Sequence, residues 1–243
     1  MIMTSQASHD RFATTRWSMV MRLADQDSTQ ARDALGDLAQ RYWYPVYAFV
    51  RRHGQAPAVA ERTARAMLHR LVFEDTGGQQ PIASRQYRNH LLERIRSYLA
   101  EGAEPLTETS VPIAPPDLER RYQRDHGGTA EASSPEQAFQ RSFALVVIER
   151  TLHRLRDEAG GAGRADLCRA LEPYLVRDPE PHDFDRLAAQ LRCRKVTLIV
   201  GLKRLRQRLK ELAALELTDT VSSASDLAEE QEALLALLGD TTA

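Results

Sequence analysis

The sequence has few cysteines, few aromatic residues and no long apolar run. Its two cysteines, Cys168 and Cys193, lack C-x-x-C spacing, so neither a disulfide scaffold nor a zinc site is supported. The aromatic content of 6% argues against an aromatic-rich β-sandwich. No apolar stretch approaches the ~20 residues of a membrane-spanning helix, and the N-terminal stretch lacks the apolar segment of a secretory signal. These absences predict a soluble, cytoplasmic protein without a metal or another cofactor.

The composition is that of a folded chain. The 243 residues are 42% hydrophobic and 28% charged, which suffices for one large or two small domains with buried cores. No sustained alternation of apolar and polar residues is present, whereas apolar residues recur three and four positions apart. The pattern therefore predicts an all-α fold.

The charges are unevenly distributed. The net charge is +5 over residues 1–100, −4 over 101–134, +6 over 135–210 and −8 over 211–243. Two basic lobes suit a polyanionic partner, because neutralised phosphates release their counterions. The alternative is that these residues are ordinary solvated helix faces.

Turn and capping residues divide the chain into helices. Ser28 or Thr29 can cap a helix that reaches Val50 and ends at Gly54, with Pro45 inside it as a kink or a tolerated bend. The remaining predicted helices lie at residues 58–71 behind Pro57, at 84–99, at 118–122 in a Pro- and Gly-rich linker, from 134 to a break at 160–163, and at 165–176.

The most informative stretch is residues 183–212. A short helix, the turn Arg192-Cys193-Arg194 and a longer helix form the layout of a helix-turn-helix unit, whose second helix enters the major groove of DNA. The second helix is expected to bury Val196, Ile199, Leu202, Leu205, Leu209 and Leu212. The residues expected to face bases are Arg192, Arg194, Lys195, Thr197 and Leu198; those expected to contact phosphates are Lys203, Arg204, Arg206, Arg208 and Lys210. The alternative is an amphipathic hairpin with a solvated basic face.

Several motifs in the correct order resemble RNA polymerase sigma factors of the extracytoplasmic-function type. They are T-R-W-S at residues 15–18, Y-W-Y-P-V-Y at 42–47, R-Q-Y-R-N-H-L-L at 85–92, S-P-E at 134–136, K-R-L-R at 203–206 where the family has H-R-L-R, and T-V at 220–221. The resemblance covers about residues 14–238.

The resemblance implies two helical domains on a flexible tether. Residues 12–100 would bind the polymerase clamp and the −10 promoter element, the latter through Arg85, Arg88, Asn89 and Arg96. Residues 101–133 would be the linker, residues 134–218 the helix-turn-helix domain that reads the −35 element, and residues 219–243 an acidic tail. Such a protein is not an enzyme, and its partners are promoter DNA and core RNA polymerase.

The clamp-binding helix departs from the family pattern. The polymerase contacts would fall on Glu61, Arg62 and Arg65, but Arg62 replaces an acid and Arg65 replaces a glutamine. A second hypothesis is therefore a degenerate sigma-derived regulator that binds DNA or another protein without the family's contact to core polymerase. The acidic tail is either a solvated helix or an autoinhibitory segment that shields a basic lobe. An anti-sigma factor is the alternative inhibitory partner.

Overall fold

The computed structural model describes residues 29–73, 87–101, 118–127, 134–218 and Glu232. Every regular element within these ranges is helical, which confirms the predicted all-α class for this part of the chain. The α-helices are α1 (Thr29–Arg52), α2 (Pro57–Phe73), α3 (Tyr87–Ala100), α4 (Leu118–His126), α5 (Pro135–Gly161), α6 (Ala165–Leu171), α7 (Pro181–Leu191) and α8 (Lys195–Thr218), and a 3-10 turn at Glu172–Tyr174 follows α6.

The described ranges contain no helix long and apolar enough to cross a membrane.

The end of α1 and the start of α2 lie where the sequence predicts them. Gly54 has a φ of 93°, the left-handed conformation that glycine adopts without a Cβ clash. Its N–H donates to the carbonyl of Arg51, and the N–H of Gln55 donates to that of Val50, a Schellman motif. Pro57 opens α2 at a position where its missing N–H costs nothing. Helix α1 continues through Pro45.

Two compact units emerge from the contacts within the chain. The first comprises residues 1–146 and 217–243, and the second comprises Val147–Glu216. Both divisions fall inside a helix, α5 in one case and α8 in the other, whereas the predicted boundary lay at residue 134. The first turns of α5 belong to the first unit because Phe143 is buried there and stacks on Tyr42 of α1, with ring centroids 5.5 Å apart.

Helix α4 lies within the predicted linker and is bound to α1 at its N-terminal end. The carboxylate of Glu119 accepts hydrogen bonds from the Tyr47 hydroxyl at 2.6 Å and from Nε and Nη2 of Arg51 at 2.8 and 2.9 Å. The hydrogen bonds from Arg51, with those from Tyr47 and Gln123, hold the pKa of Glu119 at about 2. Bidentate arginine pairs of this kind fix geometry as well as charge.

The C-terminal end of α4 contacts both α1 and α5. The Tyr44 hydroxyl donates to Asp125 Oδ2 at 2.8 Å, and the Arg121 guanidinium lies 3.9 Å from the centre of the Tyr44 ring. His126 is 2% exposed, and its Nε2 lies 2.9 Å from Ser142 Oγ on α5. Burial lowers the pKa of His126 to about 4, so the buried ring is neutral at neutral pH.

Helix α5 begins and ends at the predicted signals. Ser134 Oγ accepts the N–H of Gln137 at 3.2 Å, and Gln137 Oε1 accepts the N–H of Ser134 at 2.8 Å, which is a reciprocal cap. At the other end Gly163 has a φ of 66°, and Arg164 donates its N–H to the carbonyl of Ala159. The break was predicted at residues 160–163, whereas α5 continues through Gly160 and Gly161 and the turn lies at residues 162–164.

The core of the second unit joins the end of α5 to the helices that follow it. Leu155 of α5, Cys168 and Leu171 of α6, and Tyr174 of the 3-10 turn are buried together with residues of α7 and α8. From the last two helices the buried contributors are Leu187, Leu198, Leu202 and Leu212. This core fixes the two helices of the predicted helix-turn-helix against a common support.

Candidate nucleic-acid interface

Helix α7 is held at its start by the carboxylate of Asp183. Asp183 Oδ2 accepts the backbone N–H of Glu180 at 3.0 Å, and Oδ1 accepts Nη2 of Arg186 at 2.8 Å. A hydrogen bond from the Tyr174 hydroxyl and the two from Glu180 and Arg186 hold the pKa of Asp183 below its usual range. Pro181 occupies the first helical position, so the helix starts without losing a hydrogen bond.

A three-residue turn joins α7 to α8. Arg192 has a φ of 49°, and within the described residues it is the one non-glycine residue with a positive φ. Its N–H donates to the carbonyl of Ala189, and the N–H of Cys193 donates to that of Ala188. This is the Schellman pattern of Gly54 and Gly163, here with an arginine in the left-handed position. The resulting helix, short turn and helix match the predicted layout.

The sequence-based assignment of the buried face of α8 is wrong in its first turn. Leu198, predicted to face DNA, is 0% exposed, whereas Val196 and Ile199, predicted to be buried, are 67% and 47% exposed. The buried or partly buried residues 198, 202, 205, 209 and 212 follow spacings of four and three, which keep one face toward the core. Residues that repeat at every third position, as from Val196 through Ile199, move away from that face because an α-helix has 3.6 residues per turn.

The N-terminal end of α8 presents cations to solvent. Arg192, Arg194 and Thr197 are exposed, as predicted, and no described residue forms a hydrogen bond or ion pair with their side chains. Lys195 is also exposed, and its Nζ lies 2.9 and 3.0 Å from the two carboxylate oxygens of Asp185 on α7. A surface pair of this kind contributes little stability.

The middle of α8 carries three further exposed cations. Lys203, Arg204 and Lys210 have no side-chain partner among the described residues. The sequence from Lys195 to Lys210 contains no acidic residue, so no acid within this stretch of α8 offsets these three charges.

Two predicted phosphate contacts are occupied inside the second unit instead. Arg206 donates to the carbonyl of Tyr174 at 2.8 Å and to that of Arg177 at 2.7 Å. Arg208 forms a bidentate pair with Glu158 of α5 at 2.8 and 2.7 Å and also reaches Glu211. These bonds raise the pKa of Arg208 and lower the pKa of each carboxyl. The partners of both arginines lie on distant segments of the chain, and the sequence alone does not show that these segments meet. Both arginines were therefore predicted to contact phosphates.

Three exposed apolar residues on α8 were missed by sequence reasoning. Val196, Ile199 and Val200 are 67%, 47% and 41% exposed, and they occupy successive turns among the cations. Val196 and Val200 also border a groove of about 480 Å³ between α8 and the α5–α6 side of the second unit, where Arg164 and Arg204 line its wall. The signal in the sequence was the run V-T-L-I-V, which is apolar on more than one face of the helix.

The structure describes three of the four residues predicted to bind the −10 element, and one of these three is buried. Arg85 lies outside the described residues. Arg88, predicted on an exposed polar side, is instead 7% exposed with its guanidinium 5.5 Å from the centre of the Phe143 ring. Asn89 is exposed. Arg96 is exposed and donates to Glu136 of α5 at 2.9 Å.

The predicted polymerase-binding residues on α2 are partly used within the first unit. Arg65 pairs with Glu61 at 3.2 Å, and its guanidinium lies 5.7 Å from the centre of the Trp43 ring. Trp43 is 3% exposed, as expected for a core residue. Arg62 is exposed and has no partner among the described residues, so the free charge on this part of α2 is positive.

The chain was compared with protein-family models, curated proteins and solved structures, and none of the three comparisons finds a match. No group of histidine, cysteine, aspartate and glutamate side chains suited to a metal ion occurs in the described ranges. Helix α8 and the turn before it present Arg192, Arg194, Lys203, Arg204 and Lys210 as exposed cations.

Proposed function

We propose that the chain is a sigma factor of the extracytoplasmic-function type, which directs promoter recognition and transcription initiation by core RNA polymerase. In this proposal α8 is the recognition helix for the −35 element, and the first unit contacts the −10 element and the polymerase. The protein works in the cytoplasm and is not itself an enzyme. The supporting observation is a set of exposed cations without a partner among the described residues, on a helix that has no acid from Lys195 to Lys210: Arg194, Lys203, Arg204 and Lys210.

The cations favour DNA because of their placement as well as their number. Arg192 and Arg194 lie at the N-terminal end of α8, where a recognition helix meets base edges. Arginine can donate two hydrogen bonds to guanine, and the Thr197 hydroxyl can bond several bases. Lys203, Arg204 and Lys210 follow along the helix, where phosphates line the groove. An amphipathic hairpin whose basic face is only solvated would not require the cations to follow this order along the helix.

DNA binding is tested by titrating the full chain with duplex DNA at several salt concentrations. Each phosphate contact contributes about 0.9 to the slope of log affinity against log salt. Lys203→Ala should reduce the slope by about one, whereas Arg194→Ala should cost ~1–3 kcal/mol and relax sequence preference. Arg169→Ala is the matched control, an exposed arginine on α6. Equal binding by all three variants and the parent would refute the proposal for α8.

Sigma activity is tested separately, by co-purification with core polymerase and promoter-directed run-off transcription. A sigma factor should bind the core and yield transcripts that start at one position. Binding to DNA without binding to core polymerase would instead support the second candidate, a sigma-derived regulator.

The second candidate rests on the charge of α2. Arg62 is exposed without a described partner, and Glu61 is engaged by Arg65, so the acid expected at a clamp-binding surface is absent there. Restoring the acid distinguishes the candidates, because like charges across an interface can cost several kcal/mol. Arg62→Asp should increase core affinity if the family's clamp contact is retained. An unchanged affinity favours the regulator.

The acidic tail of residues 219–243 lies outside the described residues except for Glu232. In the proposal it is either a solvated helix or an autoinhibitory segment, and an anti-sigma factor is the alternative source of inhibition. Truncation after Thr218 removes the tail without shortening α8. Tighter DNA binding by the truncated chain supports autoinhibition, and unchanged binding argues against it.

A further inference from the structure

An exposed apolar patch lies near the N-terminal end of α8, with cations before and after it along the helix. Val196 and Val200 are four residues apart and therefore lie on one face, with Ile199 beside them. Arg194 precedes this patch, and Lys203 follows it. From Val196 to Val200 the patch extends only ~6 Å along the helix axis.

This end of α8 is the part of a recognition helix that enters a DNA major groove. The groove is ~12 Å wide, its floor consists of base edges, and phosphates line both rims. A recognition helix seated there contacts base edges with its N-terminal residues, and this is where Val196, Ile199 and Val200 lie. The apolar group that a major groove offers on its floor is the C5-methyl group of thymine.

We infer that Val196, Ile199 and Val200 read thymine methyl groups, so that α8 prefers sites with thymines at the positions under this patch. The inference rests on the proposed DNA-binding function and adds the specificity-determining residues. Burial of each side chain against a methyl group removes apolar surface from water, which favours thymine over a base that lacks the methyl.

A protein partner is the competing occupant of this patch. Stable protein interfaces bury ~800 Å² on each side, far more than three side chains supply. Arg194, Lys203 and Arg204 have no acidic partner among the described residues, and the nearby acids Asp185 and Glu158 are already paired with Lys195 and Arg208. Charge and patch size therefore both favour duplex DNA.

Uracil substitution tests the inference because it removes the methyl group and leaves base pairing and phosphates unchanged. Duplexes are first selected from a random-sequence pool by the full chain. The enriched duplex is then prepared with deoxyuridine in place of individual thymidines. Each contacted methyl should contribute about fourfold in affinity, the effect of one buried methyl-sized group.

Alanine variants connect the effect to the patch. Val196→Ala, Ile199→Ala and Val200→Ala should each reduce the preference for thymine over uracil at one position. Val176→Ala is the matched control, since Val176 is 82% exposed in the segment before α7 and should preserve the full preference. Helical content measured by circular dichroism verifies that each variant folds.

The outcomes separate the inference from the function on which it rests. Equal affinity of the parent for thymine and uracil duplexes overturns the methyl readout and leaves DNA binding intact. A preference for thymine that survives all three patch variants also overturns it, and assigns the patch to another partner. Failure to enrich or bind any duplex at low salt refutes the proposed function itself.

Discussion

Arg206 of α8 donates two hydrogen bonds to the backbone carbonyl of Tyr174, from Nε at 3.1 Å and from Nη2 at 2.8 Å. The same guanidinium also reaches the carbonyl of Arg177 and the carboxylate of Asp178. It therefore fixes the segment between the 3-10 turn and α7, and through it the position of α7 against α8.

Loss of Arg206 should affect folding rather than phosphate binding. Arg206→Ala leaves backbone carbonyls without a donor and should lower the free energy of unfolding by about 1–3 kcal/mol. Lys203→Ala, on an exposed position without a described partner, should change it by less than ~0.5 kcal/mol. Urea denaturation measures both values. A stable Arg206→Ala variant with a reduced salt slope for DNA would contradict this assignment.

The choice of which α8 side chains face the core predicts a large loss of stability at Leu198 and almost none at Val196. Leu198→Ala should destabilise the second unit by ~2–5 kcal/mol, because it leaves a cavity in the core. Val196→Ala should remain within ~0.5 kcal/mol of the parent, because its side chain is largely exposed. Thermal unfolding of the two variants measures both losses. If the face predicted from the sequence were buried instead, Val196→Ala would be the more destabilising of the two.

The left-handed conformation of Arg192 provides a stabilising substitution. Arg192→Gly removes the Cβ clash at a φ of 49° and should raise stability by roughly 0.5–1 kcal/mol, net of the greater freedom of glycine in the unfolded chain. Gly163→Ala tests the same motif in the other direction. No atom lies within 4 Å of the added Cβ, so its expected loss of about 1 kcal/mol comes from the φ of 66° alone. A destabilised Arg192→Gly would contradict the argument.

The buried His126 predicts a pH dependence of the first unit. Its pKa is about 4 in the folded chain against 6.5 ordinarily, so between these values the unfolded chain binds a proton that the folded chain does not. The contribution of His126 to the free energy of unfolding is therefore fully present above pH 6.5. It falls by about 1–3 kcal/mol as the pH drops toward 4.

Two variants isolate this effect in urea denaturation between pH 7 and pH 4.5. His126→Asn should flatten the dependence because the titrating ring is gone. Ser142→Ala should lower stability at every pH but keep the slope, because it removes the hydrogen bond and retains the ring. An unchanged slope in His126→Asn would assign the acid sensitivity to other groups.

Local signals in the sequence predicted most helix ends. Gly54 and Gly163 adopt the left-handed conformation that ends a helix, and Pro57 and Ser134 stand where helices begin. These features depend on residues within four positions of one another, which a single sequence displays. The helix, turn and helix of residues 181–218 were predictable for the same reason.

Features set by distant residues were not predictable. Tyr44 and Asp125 are 81 residues apart in the chain, and Arg208 and Glu158 are 50 apart. The sequence shows that a charge exists, but not that another segment neutralises it. This is why Arg208 was placed on phosphate, and why α4 was predicted only as a short helix in a linker.

The attachment of α4 to α1 has a consequence for chain length. Six residues, 128–133, connect the end of α4 to Ser134, and at ~3.3–3.6 Å each they span at most about 25 Å with the flanking bonds included. Sixteen residues, 102–117, precede α4, and doubling such a stretch costs only ~0.6 kcal/mol of closure entropy. Deletions should therefore be tolerated less well in residues 128–133 than in residues 102–117.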